Sequence, residues 1–298
     1  MKKIPLEETL GGAYRFLFKN VVSIVGTAWL PLVVFLGLCA GLVYAVVPHE
    51  WWSGNFPQIK SLEQLVPVLL PLLAVYLLIL FLSLLMYAMI FTGLMRHSLG
   101  LKTTTTFAYF SLGAPVWRLI GAFIVAGVAT IVVALLTVAA AAATIWAAQQ
   151  YAAGIVGLVK FLAIAAAVLW MIYFCVRLFY FLPPVVVAEG AIALGRAWSL
   201  GSGNFWRVVA LWLATFLPVV IVATILSGAL FGIQENDMLM AMLKANSPAA
   251  AMHVAFSQYG LLLIGLAVYE IAYFTLMLGL GLGAMASAYK GAAAPEAA

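Results

Sequence analysis

Asn204-Phe205-Trp206-Arg207 leads straight into VVALWLATFLPVVIVATILSGALFGI, which runs from Val208 to Ile233 without a charge. The hydrocarbon core of a bilayer takes about 20 apolar residues of helix to cross, and this run exceeds that. Its backbone polar groups would find no water there. A continuous apolar run must therefore be helical, because barrel strands are short and alternate in polarity. Five more runs have the same character: Val21–Val47, Leu65–Met95, Trp117–Ala148, Ile155–Leu182 and Tyr259–Ala288. Of the 298 residues, 67% are hydrophobic and 8% charged, with a mean hydropathy of +1.18. A soluble domain is about half apolar and about a quarter charged, so this composition excludes a soluble enzyme, a nucleic-acid-binding domain and a disordered chain. The expected fold class is an all-α membrane protein with six transmembrane helices, forming one polytopic domain over residues 1–298. The first run is too long for a signal-peptide core, so no cleavage is expected.

The net charge of +5 is placed by topology. Lys2, Lys3, Arg15, Lys19, Arg96, Lys102, Arg118, Arg177, Arg196, Arg207 and Lys290 fall on one side of the six-span reading, and only Lys60, Lys160 and Lys244 on the other. Basic residues accumulate on the cytoplasmic side of membrane proteins, so both termini are expected in the cytoplasm. No Asn-x-Ser/Thr acceptor occurs, which agrees with a bacterial inner membrane. Glu50, Glu63, Glu235, Asp237, Trp51 and Trp52 belong to the opposite loops. Dispersed basic residues at span ends are not a phosphate-binding stripe, and no nucleic-acid partner is expected. Cys39 and Cys175 lie inside apolar runs and read as small hydrophobes, without a disulfide.

The basic-side connections carry more information. From Ala191 to Arg207, at 100° per residue, Ala191, Leu194, Trp198, Gly201 and Phe205 share one stripe, with Glu189, Arg196, Gly203 and Arg207 opposite. That pattern predicts a short amphipathic helix in the interface plane, Trp198 and Phe205 toward the acyl chains. The N-terminus repeats it. Leu6, Leu10, Ala13, Tyr14 and Leu17 form an apolar face, Glu8, Arg15 and Lys19 a polar one, and Asn20 precedes the span as Asn204 does. A fainter third copy aligns Ala108-Tyr109 and Trp117-Arg118 with Ala197-Trp198 and Trp206-Arg207, with Thr103 to Thr106 as its cap, or as a loop. The chain thus reads as two or three amphipathic interfacial helices and three tandem helix-plus-hairpin units, residues 1–100, 101–188 and 189–298. Any hairpin that starts from a basic interface shares part of that look.

Trp198, Leu200 and the run Gly203-Asn204-Phe205-Trp206-Arg207 match a motif of bacterial six-span inner-membrane families. The chain resembles the membrane domain fused to some glycerophosphodiester phosphodiesterases, and the YciC-like inner-membrane proteins. The resemblance rests on about seventeen residues of motif and on topology elsewhere. It implies a six-span fold. In the phosphodiesterase fusions a soluble barrel carries catalysis; here the sequence stops a few residues after Lys290, no barrel is expected, and the activity does not carry over.

Other chemistry is sparse. His49, His97 and His253 lack ligand-spaced partners, so no metal and no cofactor is expected. Leu200-Gly201-Ser202-Gly203 lacks the first glycine, the strand and the helix that a nucleophile elbow needs. Gly279, Gly281 and Gly283 alternate in the sixth span without a strand or acidic partner; Gly279 and Gly283 instead form a small-residue face for helix packing, within the bundle or in a homo-oligomer. Glu270 is the ionisable group deepest in a span, and intramembrane charge is the default functional suspect. Arg177, by its assigned depth, and Tyr273, one turn away, are its expected partners, with Glu270 facing the bundle interior. Arg15, Lys19, Arg196, Trp198, Trp206 and Arg207 are the interfacial lipid-contact candidates.

These features predict a non-enzymatic integral inner-membrane protein, a lipid-associated scaffold or accessory subunit, with membrane lipids as partners and a membrane protein or a second copy beside it. The runner-up is a secondary transporter or lipid-moving protein with a site near Glu270. Transport requires a polar cavity reaching Glu270; a scaffold requires a dry bundle.

Overall fold

A computed structural model describes residues 3–48, 50, 61–102, 104–151, 153–245 and 248–293. Among them the regular structure is helical, and six helices are long and apolar enough to cross a membrane. These are α1 (Leu6–Val46), α2 (Leu62–Ser98), α3 (Ala114–Tyr151), α4 (Val156–Phe179), α7 (Phe205–Leu243) and α8 (Pro248–Ala293). Two short helices, α5 (Leu182–Glu189) and α6 (Leu194–Gly201), lie between α4 and α7. The chain is a multi-pass membrane protein by this architecture. Trp51, Trp52, His49 and Lys60 lie outside the described residues, as do Lys2 and Thr103.

The long helices pair as three hairpins, α1 with α2, α3 with α4 and α7 with α8, and α1 also packs along α8. That last seam is built from small residues. A Cβ on Gly279 would lie 2.6 Å from Leu17 Cδ1 and 2.8 Å from Ile24 Cδ1, and one on Gly283 would lie 3.1 Å from the Cα of Ala13. The small-residue face is therefore occupied by α1 of the same chain, where dispersion contacts between close backbones drive helix association.

Two helices contain a single non-helical residue, Asn20 in α1 and Tyr259 in α8. Both fall at the edges of the hydropathic runs. At Asn20 the cause is local: its side-chain amide donates to the carbonyl of Phe16 at 2.8 Å, taking an acceptor of the preceding turn. Asn204 does the same to Leu200 at 3.2 Å just before α7. The first and fifth spans thus open with the same asparagine device. The third does not, because residues 104–113 form no helix. Thr106 donates its backbone N–H to Ser23 Oγ at 3.2 Å, and Trp29 Nε1 donates to the Phe107 carbonyl at 2.7 Å. Fastened on α1 in this way, the loop finds backbone partners that a helix would supply internally.

The hydropathic pattern gives no sign of α5, which continues from the fourth span. Pro183 and Pro184 stand in its first turn, where a missing N–H costs nothing. Gly190, at φ +67°, ends it in the left-handed conformation that glycine adopts freely. Residues Tyr180 to Val186 are all buried, and they join the core against α2, α3 and α8. Burial elsewhere is concentrated near the same end. Deeply buried residues cluster between Ala13 and Ile24 on α1, Met86 and Met95 on α2, Val116 and Ala126 on α3, Val208 and Leu211 on α7, and Leu278 and Ala288 on α8, whereas most of the far halves of α3 and α4 are open on their apolar faces. A bundle surrounded by lipid can leave such surface uncovered, since acyl chains are as apolar as leucine.

Candidate functional site

The basic end of the bundle gathers most of the polar chemistry, and its centre is a junction of α4, α6 and α7. Tyr173 and Arg177 are one turn apart on α4, so their side chains share a face. Arg177 Nη1 donates to the Tyr173 hydroxyl at 2.6 Å, and Nη2 donates to the Trp198 carbonyl at 3.2 Å. The guanidinium lies 4.0 Å from the Trp198 ring centroid and 5.2 Å from that of Tyr173. A cation over an aromatic face is held by the ring quadrupole. Phe174 and Phe205 complete the cluster, 5.4 Å from Trp198 and 5.0 Å from Tyr173. Arg177 Nε is buried without a partner, and no carboxylate lies in salt-bridge range among the described residues. α6 can approach this closely because position 201 is glycine: a Cβ there would sit 2.9 Å from the Arg177 carbonyl oxygen.

The expected lipid-facing aromatic is therefore corrected. Trp198 points into the protein, because the unneutralised guanidinium and two rings of α4 offer it more than the acyl chains do. Trp206 is the exposed ring of this segment, at 77%. The interfacial helix is also shorter than expected, beginning at Leu194 after an irregular stretch from Gly190.

The remaining basic candidates divide by partner. Arg15 and Lys19 are exposed on α1. Arg196 pairs with Glu189 at 3.3 Å, and the same carboxylate oxygen accepts from the Tyr289 hydroxyl at 3.0 Å. Arg207 donates to the Ile4 carbonyl at 2.6 Å, while the Ile4 N–H donates to Asn204 Oδ1 at 3.0 Å. That clasp ties the N-terminus to the start of α7. Asn204 is buried, and Asn204→Ala should leave the Ile4 N–H without its acceptor, which costs about 1–3 kcal/mol. Faster amide exchange over residues 4–12, with α7 unchanged, is the expected readout. Asn20 has the matching role, its Oδ1 paired with His97 Nε2 at 2.8 Å. Sequence reasoning marks both asparagines as the places where a span begins and misses them as fasteners, since their partners lie 77 and 200 residues away.

Glu270 does not face the bundle interior as expected. It is exposed on α8 and makes no hydrogen bond or ion pair among the described residues. Tyr269 donates its hydroxyl to the Ala223 carbonyl at 2.6 Å, and Tyr273 stacks on Tyr269 at 6.4 Å. Arg177 is out of reach. Tyr173, one turn from it, touches Phe205, and Ala223 lies 18 residues further along α7, about 27 Å at 1.5 Å per residue. The depth assignment fails because Arg177 stands at the basic end of α4, which stops at Phe179, whereas Glu270 stands near the middle of α8, which runs on to Ala293.

Among the described residues, four grooves open on the bundle. One of about 640 Å³, at the end of α7 and the start of α8, includes Gln234, Ser257, Gln258 and Tyr259 in its lining; the other three lie between the spans. One of about 610 Å³ lies between α3 and α4, lined by residues such as Val133, Ala140, Ala163 and Trp170. A second, of about 480 Å³, is lined by Val176 and Phe179 of α4, Val208 and Trp212 of α7 and Met285 of α8. The third, of about 350 Å³, separates α7 from α8 along Val222, Ala223, Tyr269 and Tyr273. The walls of these three are overwhelmingly apolar. Among the described residues no group of three His, Cys, Asp or Glu side chains comes together to hold a metal. No protein-family model, curated protein or solved structure matches the chain.

Proposed function

We propose that this protein is a non-enzymatic component of the bacterial inner membrane that holds anionic lipid, its apolar grooves taking acyl chains and its basic end the headgroups. The observation that carries this reading is the groove between α4 and α7, which runs beside the junction of Arg177. Its walls suit a hydrocarbon chain, and the adjacent guanidinium lacks a carboxylate. Each Lys or Arg near the surface adds about 1 kcal/mol of attraction for anionic lipid, and Arg15 and Lys19 are exposed and able to contribute. The likeness of the Trp198–Arg207 segment to the six-span bacterial families supports the same placement, and a scaffold or accessory role accords with it. The apolar walls of the α7–α8 groove beside Tyr269 and Tyr273, and an outward Glu270, weigh against the transporter reading, which needs a polar path at that residue.

Lipid retained through mild detergent purification, weighed by native mass spectrometry, tests the proposal. Anionic phospholipid should be retained in preference to zwitterionic, and Val208→Trp, which fills the α4–α7 groove, should reduce retention. Equal retention of both lipid classes, unaffected by that substitution, would remove the proposal. Orientation is tested separately. A reporter fused after Lys290 should read cytoplasmic and one inserted near Asn55 or Asn246 periplasmic, as the distribution of Lys and Arg dictates.

A further inference from the structure

Within the six apolar runs, the charged side chains are Arg118, Lys160, Arg177 and Glu270. Arg118 lies beside Gly190 and Arg177 beside Gly201, both at the basic end. Lys160 and Glu270 remain. Both are exposed, and neither makes a hydrogen bond or ion pair among the described residues. They are of opposite sign and project from helices with different neighbours: α4 packs chiefly on α3 and α6, while α8 packs chiefly on α1 and α7. Measured from the contact between Tyr173 and Phe205, Lys160 lies 13 residues along α4, and Ala223, which Tyr269 bonds, lies 18 residues along α7. At 1.5 Å per residue these are about 20 and 27 Å, a difference that the side chain of lysine can span.

A charge facing acyl chains is costly, and such groups almost always face protein and pair with one another. Glu270 is too far from the basic end to snorkel there, and no described residue of its own chain pairs with it. We propose that a second copy of this chain covers it, with Lys160 of one copy paired to Glu270 of the other. The occupant is argued from charge and depth: among the described residues of the six runs, Lys160 and Glu270 are an exposed cation and an exposed anion whose levels differ by about 7 Å, within a lysine's reach, and each completes the other. The exposed apolar residues flanking Glu270 on its own side of the helix, Ala267 and Ile271, would be part of the contact surface. This inference does not depend on the lipid reading.

Energy transfer between C-terminally labelled copies in proteoliposomes, as a function of protein-to-lipid ratio, provides the test. The full chain should associate reversibly. Glu270→Lys and Lys160→Glu, each alone, should weaken association by about tenfold or more, since each sets like charges against one another where water is excluded. Mixing the two variants should restore it, because every contact between unlike copies then sets a lysine against a glutamate at both of its sites. Glu270→Gln keeps the side-chain shape and should also weaken association, which guards against a variant that fails to fold. A chain that stays monomeric at every density overturns the proposal. So does association unchanged in Glu270→Gln, or a mixture of two folded variants that does not recover.

Discussion

Gly26→Ala is expected to pull the loop of residues 104–110 off α1. A Cβ at position 26 would overlap the carbonyl oxygen of Thr106 and meet the Cα of Phe107 at 2.8 Å. Both obstacles are backbone, so no side-chain rotation relieves them. The loop must move, which breaks the bond from Thr106 N–H to Ser23 Oγ and the one from Trp29 Nε1 to the Phe107 carbonyl. Tyr109 would shift too, and its ring now fills the space beside Gly93. Two hydrogen bonds at about 0.5–1.5 kcal/mol each, plus the packing of one aromatic ring, put the loss at roughly 3 kcal/mol. The expected signs are a lowered unfolding midpoint and a protease-sensitive site between Lys102 and Gly113. Gly127→Ala, at a glycine whose Cβ would meet nothing within 4 Å, should leave both unchanged. If Gly26→Ala behaves like that control, the loop is not held on α1 in this way.

The second large effect is expected at Trp198. Its ring covers the Arg177 guanidinium and packs on Phe174 and Tyr173. A buried aromatic replaced by alanine costs about 3–5 kcal/mol; Trp198 is half-buried, so Trp198→Ala should cost roughly 2–3 kcal/mol. Part of that is specific to the cation. In a cycle with Arg177→Met, the coupling should be about 0.5–2 kcal/mol, the range of a cation over an aromatic face. Additive losses in reversible unfolding would mean that Trp198 acts only by packing. Trp206→Ala, which removes the exposed ring, should leave stability within about 0.5 kcal/mol.

Both predictions rest on contacts that no local pattern reveals. Gly26 sits in an apolar run where glycine is unexceptional, and its importance comes from a loop about 80 residues later. Trp198 falls on the apolar stripe of an amphipathic segment, and that much is legible. Which apolar surroundings it enters is not, because a helical stripe says that a face is buried and leaves open whether lipid or protein buries it. Glu270 shows the same ambiguity in reverse. Its depth makes it a suspect, but helix periodicity across an all-apolar span carries too little contrast to say which side faces inward.

By itself the sequence determined the class, the number of spans, their approximate limits and the gathering of positive charge at one end. These depend on hydrophobicity summed over about 20 residues or more, a signal that single contacts cannot reverse. It also marked Asn20 and Asn204, since a polar residue at the mouth of an apolar run reports a local change of backbone. The tertiary structure decided how the hairpins meet: α1 against Gly279 and Gly283, the plug formed by α5, the loop in place of a third interfacial helix, and the turning of Arg177 to Trp198 rather than toward Glu270. Those outcomes depend on distances between segments far apart in the chain. In a membrane, where lipid and protein are almost equally apolar, small differences in close packing and in the pairing of a few polar groups choose among arrangements that hydrophobicity leaves equal.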